Sequence, residues 1–138
     1  MRARRAAELL KLPVRLRGIH LGEAVDLLVD LPSERVLGFD VRCGDEVHRF
    51  LPVSAVTVQE DELTVSSALT MLEEAELDFY RQRAASLGRI RGHELYRHDR
   101  SVGRVQDVVV ADGGVVAGVV VDDGSEVSGD GLRLAPAA

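Results

Sequence analysis

The amino-acid sequence predicts an all-β protein made of two small β-barrels in tandem, joined by one α-helix. Three observations lead to this fold class. Residues 22–41 and 103–121 repeat one another, each copy consists of short apolar runs separated by turn residues, and the segment between the copies changes to a helical periodicity. A chain of 138 residues with 46% apolar content is long enough to fold as two very small domains.

The repeat aligns GEAVDLLVDLPSERVLGFDV (22–41) with GRVQDVVVADGGVVAGVVV (103–121) after one deletion in the turn. The shared positions that define this motif are Gly22, Asp26 and Gly38 in the first copy and Gly103, Asp107 and Gly118 in the second.

Asp26 and Asp107 place an acid at the same point of two apolar strands. A carboxylate there must be hydrogen-bonded or face solvent, because burying it without a partner costs several kcal/mol. We expect each aspartate to accept backbone N–H bonds from an adjacent loop and to fix a corner of its barrel. A binding role for the two aspartates is the alternative.

Each copy predicts a β-hairpin followed by further short strands. In the second copy, Val105–Val110 and Val115–Val121 are β-branched runs joined by ADGG, where Asp112-Gly113 is expected to supply the positive φ angles of a tight turn. In the first copy LPSE makes the turn, and Pro32 excludes further pairing. The other strands expected in the first copy are Glu46–Leu51, Ala55–Val58 and Leu63–Val65.

Residues 37–42 alternate between two sets of side chains, which predicts a strand with one face in the core. The set expected to face inward is Leu37, Phe39 and Val41. The set expected to face solvent or a partner is Gly38, Asp40 and Arg42.

The second copy is shortened. After Val121 it reads DDGSEVSGDGLRLAPAA, without a counterpart of the last hairpin of the first copy, and residues 132–134 are its expected final strand. A short barrel leaves a strand edge that the helix, the first barrel or a second chain would cover. Because each barrel is marginal in size, we expect intimately docked tandem barrels or a homodimer.

The segment SSALTMLEEAELDFYRQRAASLG has apolar residues at spacings of three and four, which predicts a helix of about 17 residues, roughly 25 Å long. Thr70 and Glu73 have the spacing of a capping box. Gly88 is expected to end the helix in a left-handed conformation.

The repeated motif, with RFLPVSAV following it in the first copy, resembles the PRC-barrel, a small SH3-like β-barrel named from the photosynthetic reaction centre H subunit and also found in a bacterial ribosome maturation factor. The resemblance implies two PRC-barrel-like domains, at residues 14–66 and 89–138. Residues 1–13 are then a basic N-terminal tail, and residues 67–88 are the connecting helix. The family resemblance also implies docking onto larger assemblies.

Charge is unevenly distributed along the chain. The net charge is −6, yet arginines concentrate near the N-terminus and around residues 81–104. The candidate contacts for an acidic partner or RNA are Arg2, Arg4, Arg5, Arg15, Arg17, Arg89, Arg91, Arg97 and Arg100. The alternative is that these arginines are solvated or pair with acids of their own chain.

No pattern in the sequence favours a catalytic, metal or cofactor site. The glycines near residue 113 lie beside strands, whereas nucleotide loops lead into a helix. The acids at 122, 123, 126 and 130 lack the ligand order of a calcium loop, so a solvated turn is favoured. The histidine spacings do not match a zinc site. Cys43 and His48 lack a recognisable oxyanion hole, and Cys43 is expected to be a β-bulge or turn cysteine beside Gly44.

Two functions remain. The first is a non-catalytic protein-interaction or adaptor module that docks onto a larger assembly through barrel surfaces. The second is a binding protein for RNA or the ribosome, with ribosomal RNA or a ribosomal protein as partner. The chain has no long apolar run for membrane insertion, and its single cysteine agrees with a reducing compartment, so we expect a cytoplasmic bacterial protein without cofactors.

Overall fold

The computed structural model describes residues 3–128 and 131–134. This part of the chain is mostly β, with 54% of the described residues in strands and 21% in helices, and its strands form a curled mixed sheet. The predominantly β fold agrees with the sequence prediction. The strands are β1 (Arg4–Arg5), β2 (Pro13–Leu16), β3 (Ile19–Asp30), β4 (Arg35–Cys43), β5 (His48–Pro52), β6 (Val56–Val58), β7 (Leu63–Val65), β8 (Ala85–Ser86), β9 (Glu94–Arg97), β10 (Arg100–Ala111), β11 (Val115–Val121), β12 (Glu126–Ser128) and β13 (Leu132–Leu134).

Helices occupy short connecting segments. The α-helices are α1 (Ala6–Leu9), α2 (Glu74–Arg83) and α3 (Leu87–Ile90). The 3₁₀ helices are Val53–Ala55, Ala68–Thr70 and Asp112–Gly114.

Two long hairpins, β3–β4 and β10–β11, organise the sheet. Each shifts its pairing register twice, which is the mark of β-bulges that bend and twist a strand pair. The shifts lie between Ala24/Asp26 and Leu28/Val29 in the first hairpin and between Val105/Asp107 and Val109/Val110 in the second. The two hairpins therefore bend at corresponding points.

Each hairpin receives a short segment from the other half of the chain. In β1, Arg4 pairs with Val110 of β10; in β8, Ala85 pairs with Val29 of β3. The order of elements that begins with β1 is repeated, 81 residues later, in the order that begins with β8. The first residues of β1, α1, β2 and β3 are Arg4, Ala6, Pro13 and Ile19, and those of β8, α3, β9 and β10 are Ala85, Leu87, Glu94 and Arg100.

The two hairpins meet where Arg35 of β4 pairs with Val115 of β11. Next to this antiparallel pair, the backbone N–H of Val116 donates to the carbonyl of Glu34 at 2.8 Å. Together the two contacts join the hairpins into one continuous sheet. The outer strands differ between the halves: β7 pairs with β2 in parallel, whereas β13 pairs with β9 antiparallel. Residues 132–134 thus form the strand that the sequence predicts.

One large apolar core contains buried residues from both halves of the chain, among them Leu9, Phe39, Leu87 and Val119. A second, small core of Leu28, Phe50 and Leu77 lies under α2. The Phe50 and Tyr80 rings stack with their centroids 4.4 Å apart, which holds α2 against β5. Helix α2 therefore covers one face of the first hairpin.

The helical segment differs from the prediction in three ways. Helix α2 has 10 residues, not about 17, because the chain that follows it is drawn into pairing with β3. Thr70 lies in the preceding 3₁₀ helix and donates to the Ser67 carbonyl, and Glu73 makes no side-chain cap, so the capping box is wrong. Gly88 lies inside α3 and does not end a helix.

Three details of the turns and strands also differ from the prediction. The positive φ angles of the second turn belong to Gly113 and Gly114, not to Asp112. Asp40, assigned to the solvent face of β4, is only 5% exposed because α2 covers that face. The strands expected at Glu46–Leu51 and Ala55–Val58 begin later, at His48 and Val56.

Candidate functional site

A cavity of about 790 Å³ lies where segments from distant parts of the chain meet, and we call it the arginine groove. Its walls come from the end of β3 and the following turn (residues 29–32), from the end of α2 and β8 (residues 78 and 81–85), from α3 and from β13. Its charged lining residues are Asp30, Asp78, Arg81, Arg83, Arg89 and Arg133. The groove therefore carries an excess of two positive charges in a chain of net charge −6.

Arg81 neutralises the acids closest to it. Its guanidinium donates to Asp40 Oδ2 at 2.7 Å and to Asp78 Oδ1 at 3.2 Å. Asp40 is buried and accepts from His48 Nδ1 at 2.7 Å when that nitrogen carries the proton. A buried carboxylate needs such partners, because an uncompensated charge in the interior is strongly destabilising. Arg81 therefore anchors α2 to β4.

The other three arginines leave positive charge at the groove. Arg83 packs over the Phe79 ring with 4.2 Å between the guanidinium carbon and the ring centroid. Arg89 is exposed and has no hydrogen bond or ion pair with any residue that the structure describes. Arg133 donates to the His98 carbonyl at 3.2 Å and lies 3.8 Å from the exposed Asp99 carboxylate, a weak and solvent-screened pair.

The wall between these charges is apolar. Its accessible part comes from Pro32, Ala84, Ala85 and Leu134, which are exposed or half-buried. The groove thus offers both guanidinium groups and an apolar surface to a ligand.

A second cavity, of about 530 Å³, lies at the corresponding place in the other half, beside β1 and the turn after β10. Its charged lining residues are Arg4, Glu60 and Asp112. Arg4 is already bonded to the Gln59 carbonyl at 2.9 Å. The concentration of arginines is therefore a property of one cavity and not of the fold as a whole.

The arginines singled out from the sequence are dispersed. Arg2 lies outside the described residues. Arg4, Arg15, Arg91 and Arg97 are hydrogen-bonded within the chain, to the Gln59 carbonyl, Glu62, the Gln106 carbonyl and Ser128. Those whose side chains make no hydrogen bond or ion pair inside residues 3–128 and 131–134 are Arg5, Arg17, Arg89 and Arg100.

Only Arg89 of the arginines singled out lines the groove; Arg81, Arg83 and Arg133 were not singled out for it. The signal for Arg81 and Arg83 in the sequence was a cluster of arginines around residue 83, which alone gives no tertiary position, and Arg133 had no such signal.

The motif aspartates lie at helix starts. Asp26 accepts from the backbone N–H groups of Leu27 and Gly88, at 2.8 and 3.1 Å. Asp107 accepts from those of Val108 and Ala7, at 2.8 and 3.2 Å. Gly88 and Ala7 are the second residues of one-turn helices, whose first N–H groups have no partner within the helix.

The motif glycines lie at close approaches between strands. A Cβ at Gly38 would be 2.4 Å from the Leu51 carbonyl oxygen, and one at Gly118 would be 2.8 Å from that of Val127. Similar contacts occur at Gly22 and at Gly103, where φ is also +126°. Gly38 and Gly118 therefore admit the third strand of each half, β5 or β12, at short range, whereas Gly22 and Gly103 admit β4 and the end of β11.

The other sequence candidates have local partners. Asp123 accepts from the backbone and side chain of Ser125, which lowers the pKa of its carboxyl, and Asp122 accepts from the Arg104 N–H. Asp130 lies outside the described residues. Cys43 is buried, with its sulfur 3.9 Å from the Val41 carbonyl.

The chain matches no protein-family model and no curated protein. Among the described residues, none of the helices has the length and apolar character needed to cross a membrane.

Proposed function

We propose that the protein is a non-catalytic interaction module built from two PRC-barrel-like halves, and that it binds a protein partner within a larger assembly. The arginine groove is the docking site. The single observation that carries this proposal is the combination of Arg83, Arg89 and Arg133 with an apolar wall at the junction of the two halves. Protein interfaces typically have this composition, an apolar centre with arginine at or near it.

Tandem barrels are part of the proposal. The constant offset of 81 residues between β1–β3 and β8–β10, and the matched register shifts of the two hairpins, support a duplicated unit. The exchange of β1 and β8 gives each half an element from the other, in the manner of an isologous dimer interface. Two marginal barrels are then stable as one body.

Protein docking is favoured over RNA binding by the arrangement of the cations. Phosphate tracks need arginines or lysines in a continuous line, usually with aromatic side chains on which bases stack. Here Arg5 lies on β1, Arg17 in the turn between β2 and β3, and Arg100 on β10, and none of the described lining residues of the groove is aromatic.

The test is the sensitivity of the native complex to nuclease and salt. The protein is isolated from its own cells in parallel with Arg89→Glu and with Arg17→Glu, a control at an exposed residue outside the groove. We expect the complex with a protein partner to persist after nuclease treatment. The partner should copurify with Arg17→Glu and should be absent with Arg89→Glu. A complex that dissolves on nuclease treatment, with affinity falling steeply as salt rises, would contradict the proposal and indicate RNA.

A further inference from the structure

We infer that the arginine groove recognises an acidic peptide segment with an apolar anchor, such as a pair of leucines flanked by glutamates. This inference rests on the proposed function and adds the chemistry of the partner. It follows from the distribution of neutralised and unneutralised charge inside the groove.

The acids of the groove are already satisfied. Asp78 pairs with Arg81, and Asp30 accepts the Ser33 hydroxyl at 2.5 Å. Arg83 and Arg89 have no carboxylate partner among the described residues. Their guanidinium groups are therefore available to donate charge-assisted, bidentate hydrogen bonds to a carboxylate of the ligand.

The fold does not require a positively charged residue at position 89. The corresponding position in the first half, 81 residues earlier, is Glu8, which pairs with Arg4 at 3.5 Å. A one-turn helix at this place thus accepts either sign of charge. The cation at 89 is a feature of this groove and is available for a ligand.

The apolar wall selects against a ligand that is only charged. Pro32, Ala84 and Leu134 offer surface that a phosphate backbone would not cover. Leucine side chains on this surface would be removed from water, whereas the flanking glutamates reach the arginines. A peptide supplies both groups within a few residues, and a cavity of about 790 Å³ is large enough for several side chains.

The experiment measures binding of a fluorescent peptide in which two leucines are flanked on each side by two glutamates. Two control peptides carry glutamine for glutamate and serine for leucine. We expect the wild type and Arg17→Glu to bind the first peptide. The affinity of each for both control peptides should be lower by about tenfold or more. Arg89→Glu should weaken binding of the first peptide by about tenfold or more, with an unchanged unfolding temperature.

Equal binding of the three peptides, or equal binding by wild type and Arg89→Glu, would overturn the inference. Displacement of the peptide by a single-stranded RNA oligonucleotide of similar length, with a steep salt dependence, would overturn it as well. If Arg89→Glu loses the native protein partner while no acidic peptide binds, the peptide chemistry is wrong and the proposed function stands. If the native partner is retained by Arg89→Glu, the proposed docking site itself fails.

Discussion

The carboxylate of Asp107 accepts a hydrogen bond from the backbone N–H of Ala7, 100 residues earlier in the chain, at 3.2 Å. The corresponding bond in the other half joins Asp26 to the N–H of Gly88 at 3.1 Å. Each aspartate thus fixes the start of a one-turn helix that the other half contributes. These bonds connect the repeated motif to the way in which the two halves hold together.

Asp107→Ala should destabilise the protein by about 2 kcal/mol, because it removes the acceptor of the Ala7 N–H at the start of α1 and of the Val108 N–H in β10. The midpoint temperature of thermal unfolding should then fall by roughly 5–8 °C. Asp99→Ala is the control: this side chain is fully exposed, and its change should be worth less than about 0.5 kcal/mol. An unchanged unfolding temperature for Asp107→Ala would contradict the structural role.

Gly38→Ala should cost about 2–3 kcal/mol of unfolding free energy, since the new Cβ would lie 2.4 Å from the Leu51 carbonyl oxygen and 2.6 Å from the Phe50 ring. Gly44→Ala is a matched control in the turn after β4, where a Cβ has no neighbour within 4 Å. It should change stability by less than about 0.5 kcal/mol. Chemical denaturation measures both; equal effects would contradict the close approach of β5 to Gly38.

Arg81→Met should lower the free energy that holds α2 on the sheet by about 1 kcal/mol, because the buried Asp40 carboxylate then keeps only the His48 ring as a side-chain partner. Hydrogen exchange of the α2 amides should accelerate, while exchange in β10 and β11 stays unchanged. Arg83→Met removes an exposed arginine of the same helix and should leave α2 protected. Equal exchange in the two variants would show that the Asp40 pair does not hold α2.

Stability at acid pH should depend on Asp45. Hydrogen bonds from Arg49 lower the pKa of this carboxyl from 3.8 to about 2 and raise that of the guanidinium. Because the folded-state pKa lies below the unfolded value, the ionised carboxylate stabilises the protein above about pH 4, and this contribution is lost as pH falls toward about 2. Asp45→Asn should flatten that part of the stability–pH curve. A curve with the wild-type slope would contradict this role.

The strands were largely accessible from the sequence, because β-branched runs such as residues 115–121 carry their own signal. Local periodicity failed where tertiary contacts decide. Residues 85–90 continue the helical pattern after α2, yet they pair with β3 and restart as α3 because β3 offers an edge and Asp26 an acceptor.

The groove could not be predicted from the sequence, because tertiary contacts between distant segments form it. It joins residues near 30, 83 and 133, which only the exchange of segments brings together. One available signal was an extension of the repeat upstream: Leu9 and Ile90, 81 positions apart, are both buried apolar residues of one-turn helices. Asp40 was misassigned because strand alternation predicts two faces but not what covers each.

Site-specific photo-crosslinking in the native cell shows whether the arginine groove docks a protein. A photoreactive residue replaces Gln82, which lines the groove, or Gln106, an exposed residue of β10 outside it. If a protein docks in the groove, we expect a discrete protein adduct from position 82, none from position 106, and loss of the adduct when Arg89→Glu is added. Nucleic-acid adducts, or the same adducts from both positions, would contradict docking of a protein in the groove.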